Sequence, residues 1–278
     1  MSHNDGTIKR DEKNQEADSK VVQPIELIED SDEQVWEMLV GYTDKDGVTH
    51  KEFTLREITG RDEEAIHSNK NAKNNGSRIA SLLLSRCVTS IGTMTQDSMG
   101  KQRWEDIIKD LYVGDQDYML MQLRKISLGE EIEISHVCPN PECKATLNTV
   151  VEIDELEIVP FSGTKKVPFE LPKGFKDKKG IHKHGTIAIP TGLDREILTP
   201  LTRSNMARAE TAMLTRLCKF DDGTLIDDEA MGSLSIKDRK YLQELLKDNY
   251  FGYDLDLEIV CDSCGEIFRG SLNTSNFI

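Results

Sequence analysis

Long apolar runs are missing from this sequence. No stretch of about 18 apolar residues occurs among its 278, which excludes a bilayer-spanning helix. The opening residues, "MSHNDGTIKRDEKNQEADSK", lack the apolar core of a signal peptide. They are too polar to bury a core of their own, so residues 1–33 are expected to form a disordered acidic tail. Positive charge is also short. Fifty acids outnumber 35 lysines and arginines, for a net charge of −15. Such a field repels phosphate backbones and argues against nucleic acid as the main partner.

Chemical motifs are missing too. Neither GxxxxGK[ST] nor GxGxxG occurs, so nothing cradles a nucleotide. HExxH is absent, as is the HxE plus PCxxC pairing of zinc deaminases. The acidic groups in "RDEEAI" and "DDEAM" read as first turns of helices, where carboxylates oppose the helix dipole. No two of them stand out as a catalytic pair. The chain is therefore not expected to be an enzyme.

What is present is a pair of cysteine pairs. Cys138 and Cys143 form C-x4-C, and Cys261 and Cys264 form C-x2-C. Six cysteines without an export signal suggest a reducing compartment, where close pairs more often bind metal than form disulfides. Both spacings suit a knuckle, a tight turn that points two thiolates at one ion. Together the pairs are read as the four sulfurs of a tetrahedral, structural zinc, Zn2+, with no position left for water; disulfides, an iron–sulfur centre or an empty site are the alternatives. Pro139 and Pro141 stiffen the first turn, and Gly265 allows an unusual backbone angle in the second. His136 precedes its knuckle on a strand and is read as a non-ligand. Cys87 and Cys218 are read as small buried hydrophobes. His182 and His184 in "IHKHG", two apart and on one face if this is a strand, are read as part of a solvated loop.

The sequence also resembles itself. Asp115 to Cys138 aligns with Asp238 to Cys261 without a gap, with Asp, Tyr, Leu, Gly, Val and Cys identical at six positions. Met119, Leu123 and Ile126 in the first copy, and Leu242, Leu245 and Leu246 in the second, have the spacing of an amphipathic helix. Gly129 and Gly252 are expected to end these helices. Period-two strands, "EIEISHV" and "DLDLEIV", then lead into the cysteines. Ser235 with Asp238 reads as an N-cap and its reciprocal acid. Further back, "FTLREITGRDEEAI" is matched to "EILTPLTRSNMARA", as a short strand running into an N-cap at Thr59 or Thr202. "NKNAKNNG" reads as a loop, and Asp46-Gly47 as the turn of a hairpin.

The expected fold is α+β, an internally duplicated unit of β-hairpin, helices and β-hairpin zinc knuckle, with the two knuckles sharing one zinc. The first repeat covers 34–156, a linker 157–166 and the second repeat 167–278. Closing the 117 residues between Cys143 and Cys261 costs about 4 kcal/mol of chain entropy, and a structural zinc supplies on the order of 10 kcal/mol. The ion could thus fix one repeat against the other. At the start of the second repeat, Lys165 to Gly185 holds seven lysines against Glu170 and Asp177. It reads as a solvated hairpin loop, with a contact for an acidic partner as the functional alternative.

Several of these stretches together resemble the baseplate hub and tail-assembly proteins of T-even-type contractile-tailed phages. They are "LREITGRDEEAI", "LRKISLGEEIEISHVC", "IPTG", "TPLTRSNM" and "FGYDLDLEIVCDSCGEIFRGSL", with a final Phe277. The likeness covers roughly residues 35 to 278. It implies a virion or assembly protein without catalytic activity, acting near the tip of the tail tube and the tape measure. Its partners would be other baseplate, tail-tube and tape-measure proteins, in the virion tail and, during assembly, in the host cytoplasm. The family often carries such cysteine pairs, and Cys138, Cys143, Cys261 and Cys264 would occupy them. Two other readings stand beside it. A zinc-ribbon accessory factor of phage transcription or replication would need a basic or aromatic binding face. A hydrolase with an unrecognised carboxylate site would need a titratable acid in a cleft.

Overall fold

The computed structural model describes residues 34–272. The expected tail at 1–33 and Phe277 lie outside them. The described residues mix helix and sheet, the α+β class expected.

Strands β1 (Val35–Thr43) and β2 (Thr49–Leu55) form a hairpin around the Asp44–Val48 turn, and β3 (Val88–Ile91) and β4 (Met94–Thr95) extend the sheet in the order β1-β2-β3-β4. The β1–β2 ladder is interrupted. Glu37 faces Glu52, but the next pair is Tyr42 with His50, so β1 carries extra residues in a bulge. Gly41 sits in the bulge at φ +87°, a conformation that glycine adopts without a Cβ penalty. The bulged amides need an acceptor outside the ladder. Asp115 provides it, taking the N–H of Val40 at 3.0 Å and of Gly41 at 2.9 Å.

Asp115 lies in the first turn of α5 (Val113–Leu128), a helix buried on most of its first eleven residues. Met119, Leu120, Met121 and Leu123 join Phe53, Leu84, Trp104 and Ile108 in the larger core. That core also takes Ile132 and Ile134 from β5 (Glu131–Val137), and Tyr253 and Leu272 from the far end of the chain. Gly129 ends α5 at φ +98°, as expected.

The second half uses the same devices. Strands β8 (Lys166–Lys176) and β9 (Ile181–Ala188) form a hairpin whose ladder jumps from Glu170–His184 to Phe175–His182, again a bulge. Gly174 sits there at φ +87°. Asp238, in the first turn of α9 (Ile236–Asp248), accepts the N–H of Lys173 at 2.7 Å and of Gly174 at 3.5 Å. Strand β10 (Cys218–Phe220) joins β9. A second core forms from Val167, Phe169, Leu171, Ile187, Leu214, Phe220 and Leu242.

Helix starts also correspond. Thr59 caps α1 (Gly60–Ser68) in a capping box with Asp62, and Arg86 Nε binds Asp62 at 2.7 Å. Thr191 caps α6 (Gly192–Ser204) in a box with Asp194, and Arg216 Nε binds Asp194 at 2.8 Å. Asn75 caps α2 (Gly76–Cys87) by accepting Arg78 N–H, and Asn205 caps α7 (Met206–Leu217) by accepting Arg208 N–H, each at 3.1 Å. Ser235 caps α9, as read from the sequence.

Three expectations are corrected here. Thr202 is not an N-cap; it lies inside α6, and Thr191 is the counterpart of Thr59. The reason is chemical: Thr191 has an acid three residues on and completes a box, whereas Thr202 has Asn205 there. Residues 196–200 are correspondingly helix, not strand. Gly252 does not end α9, which stops at Asp248 with Asn249 as its C-cap. Instead Gly252 pairs in β11 (Gly252–Tyr253) with β7 (Ile158–Val159), which lies within the stretch read as a linker.

Helix α6 ties the second half to the first. Pro200, inside the helix, has no N–H to offer the carbonyl of Glu196. Asn75 Nδ2 donates to that carbonyl instead, at 2.9 Å. Beside it Ser77 and Thr199 share a hydrogen bond of 2.6 Å. Arg78 bridges Glu105 in α4 (Lys101–Asp110) at 2.7 Å and Glu196 at 3.3 Å. Arg195 pairs with Asp117 and with Gln116 Oε1 at 2.9 Å.

The bulge contacts give a direct test. Asp115→Ala leaves two buried N–H groups without an acceptor, and the expected loss is about 2–4 kcal/mol of unfolding free energy. Urea denaturation reads it as a lower midpoint at unchanged slope.

Candidate metal centre

Each cysteine pair sits at the tip of a two-stranded hairpin. The first joins β5 to β6 (Thr146–Glu152), and the second joins β12 (Asp256–Val260) to β13 (Ile267–Ser271). Alternation places Ile132, Ile134 and Leu147 inward in the first, and Ile259 inward in the second. The turns are built alike. Cys138 N–H donates to Ala145 O at 2.9 Å and Cys261 N–H to Glu266 O at 2.8 Å. The residue after each second cysteine takes positive φ: Lys144 at +49° and Gly265 at +75°. The angle expected of Gly265 is thus present, and a lysine adopts its equivalent in the longer turn.

The two tips meet. Cys138 Sγ lies 3.7 Å from Cys264 Sγ, and Cys143 Sγ lies 3.8 Å from Cys261 Sγ. All four sulfurs fall within 4.8 Å of one another. A tetrahedron of sulfurs about 2.3 Å from a central zinc has edges of about 3.8 Å, so the donor set fits that ion. All four cysteines are free thiols, and Leu147, Ile259, Ala145 and Phe268 pack around them.

Cys261 is desolvated, yet the backbone N–H groups of Ser263 and Cys264 outweigh that and draw its pKa down to about 7. At Cys264 the backbone of Glu266 favours the thiolate, but desolvation and the neighbouring thiols push the pKa up to about 12. One thiolate thus opposes the next. A cation placed between them would offset that opposition.

The other sequence candidates fall elsewhere. His136 is not among the converging groups; its ring packs edge-on to Phe268 at 6.3 Å. Cys87 is buried at the end of α2, and Cys218 is half-buried at the start of β10. Burial pushes both thiols up to about 12, the opposite of what a nucleophile needs. Asp62, in "RDEEAI", is a buried cap whose charge Arg56 and Arg86 neutralise.

The reading of "IHKHG" as a loop is corrected. His182 and His184 lie in β9, but not on one face: His182 is 8% exposed while His184 is exposed, because the ladder is irregular between them. The His182 ring meets Asp177 Oδ1 through Nε2 at 2.9 Å and Asp222 through Nδ1. A carboxylate at each nitrogen favours the doubly protonated ring and raises the pKa of His182. Sequence spacing hid this, because Asp222 arrives from the loop after β10. In the first hairpin His50 Nε2 meets Asp44 Oδ2 at 2.9 Å, the same clasp with one carboxylate.

The fold and the site define a mixed α+β protein in which two separate hairpins present four thiols to one point. A family model described as T4 bacteriophage base plate protein matches residues 41–183, just over half of the sequence. The chain belongs to that family, and the virion tail baseplate is its setting. The matched stretch contains Cys138 and Cys143 and ends before Cys261 and Cys264. No curated protein and no solved structure matches the chain. Among the described residues, no helix is long and apolar enough to cross a membrane.

The His182 clasp gives a signed pH dependence. Hydrogen bonds to Asp177 and Asp222 raise the folded-state pKa of His182 above its ordinary value of about 6.5. Its stabilisation is fully present below about 6.5 and is lost as pH rises through the raised value. His182 in turn holds Asp222 down at about 2, so that contribution is lost as pH falls from about 4 through 2. The melting difference between the native chain and His182→Gln is expected to be largest at about pH 4–6.5 and to narrow on either side.

Proposed function

We propose that this chain is a structural or assembly component of a contractile phage tail baseplate, working in the hub region without catalysis. Its four cysteines, Cys138, Cys143, Cys261 and Cys264, hold one structural zinc. The ion locks the two knuckle hairpins together, so that surfaces from both halves meet other baseplate, tail-tube or tape-measure proteins in fixed register. The chain acts in the host cytoplasm during assembly and in the virion afterwards.

One observation carries this reading: sulfurs from two hairpins, with 117 residues between Cys143 and Cys261, converge within 4.8 Å of one another. Four protein ligands close the coordination sphere, so the ion stabilises structure and activates no water. Family membership supplies the setting.

We also infer that 34–156 and 167–278 are copies of one unit joined by 157–166. The support is the recurrence of unforced details. A glycine-centred bulge is satisfied by an aspartate from a later helix, a Thr-x-x-Asp box is answered by an arginine, and an asparagine caps the following helix. An Asp–His clasp closes each hairpin turn, and a cysteine knuckle closes each half.

Two experiments test the proposal. Metal analysis of purified protein should return one zinc per chain. Stripping it, or Cys143→Ser, should speed amide exchange in both knuckle hairpins and lower the melting temperature by about 5 °C or more. A chain without zinc, melting as before, removes the centre. Mass spectrometry of purified tails should find the chain in the baseplate fraction. Absence from both intact tails and assembly intermediates rejects the structural role.

A further inference from the structure

The β8–β9 hairpin carries six lysines against Glu170 and Asp177, whereas β1–β2 carries two lysines against four acids. The two hairpins are otherwise built alike, with the same bulge and the same Asp–His clasp. The fold therefore does not require the lysines. Their cost is mutual repulsion. Lys173, Lys176, Lys178 and Lys179 are exposed and Lys183 is half-buried. Among the described residues, none of the five lies within ion-pair distance of a carboxylate, although acids outnumber bases in the chain.

The tip is also held rigidly. Asp177 accepts the N–H groups of Lys179 at 2.7 Å and of Gly180 at 3.1 Å, and binds the His182 ring. His182 reaches on to Asp222, and Asp238 anchors the bulge. A charged prong fixed this way loses little conformational freedom on docking.

We propose that the tip, Lys173 to Lys183, is an interaction surface for a carboxylate-rich face of another protein. Its composition selects that class over nucleic acid. The hairpin has no arginine to fork onto phosphate or bases. Its aromatics are turned inward, Phe175 against His182 and Phe169 against Phe220, leaving no platform for base stacking. Compact ammonium groups on a rigid ladder suit dispersed carboxylates. This inference rests neither on the metal centre nor on the particle in which the chain works.

The test uses the full chain with an oligoglutamate peptide and, separately, duplex DNA, by titration at low and high salt. The peptide should bind at low salt and weaken as salt rises, with amide shifts centred on Lys173 to Lys183. Combined Lys176→Glu, Lys178→Glu and Lys179→Glu should weaken it about tenfold or more at an unchanged melting temperature. Lys45→Glu, in the first hairpin, should have no effect. Absence of binding at low salt, equal binding by the triple variant, or tighter binding of DNA through the same lysines would overturn the proposal.

Discussion

A buried aspartate answering a bulged strand governs the architecture. The extra residues in β1 and β8 take backbone amides out of their ladders, and buried amides without acceptors are costly. Asp115 and Asp238 are the acceptors, and each sits in the first turn of the helix that leads to a knuckle. Burial pushes the Asp115 carboxyl up while the amides of Val40 and Gly41 oppose it, a balance that only close, well-aimed donors sustain. Once that carboxylate is placed, the start of α5 is placed. Sixteen helical residues later Gly129 turns the chain, and β5 delivers Cys138. The same order runs from Asp238 through α9 to Cys261. The sulfurs meet because both helices are hung from their hairpins in one way.

The seam at α6 changes what a metal is needed for. The sequence suggests an ion that fixes the pose of one half against the other. The structure supplies a second attachment, in which Asn75 takes the carbonyl that Pro200 leaves open and Arg78 and Arg195 bridge to acids across the seam. Partly buried ion pairs of this kind contribute mainly by geometry, since desolvation offsets most of their attraction. The knuckle hairpins are in a different position. Each is a two-stranded sheet, and such a sheet is marginal alone. Four thiols and the residues of the small cluster around them are what join one hairpin tip to the other. A metal held by these thiols would therefore act locally, on the two hairpin tips.

Legibility followed sequence distance. Cys138, Cys143, Cys261 and Cys264 could be grouped because strand alternation leads into each pair, and alternation is visible within seven residues. The caps at Thr59 and Ser235 were equally local. The bulges were not, since a bulge exists only relative to a partner strand. Asp238 was readable as a capping acid, but its bonds to Lys173 and Gly174 were hidden by 65 and 64 residues of separation. Thr202 reads as a cap only through its match to Thr59, whereas Thr191 carries the acid three residues on that completes the box. In the structure Pro200 lies within the helix, its missing hydrogen bond replaced from Asn75. His182 reads as solvated until Asp222 is brought to its other nitrogen.

The two hairpins separate what the fold needs from what it leaves free. Both share the bulge glycine at φ +87°, the distant aspartate that accepts the bulged amides, and the Asp–His clasp. Neither needs a particular charge on its outer positions, and there they part: β1–β2 carries an excess of acid and β8–β9 an excess of lysine. Repulsion among exposed lysines is screened within about 8 Å at physiological salt, so it is a tolerable cost for the isolated chain. It becomes a source of binding energy only where a face of opposite charge excludes that salt. Two hairpins that share these constraints, with charge varied where the constraints are silent, can present different surfaces without altering the framework that holds them.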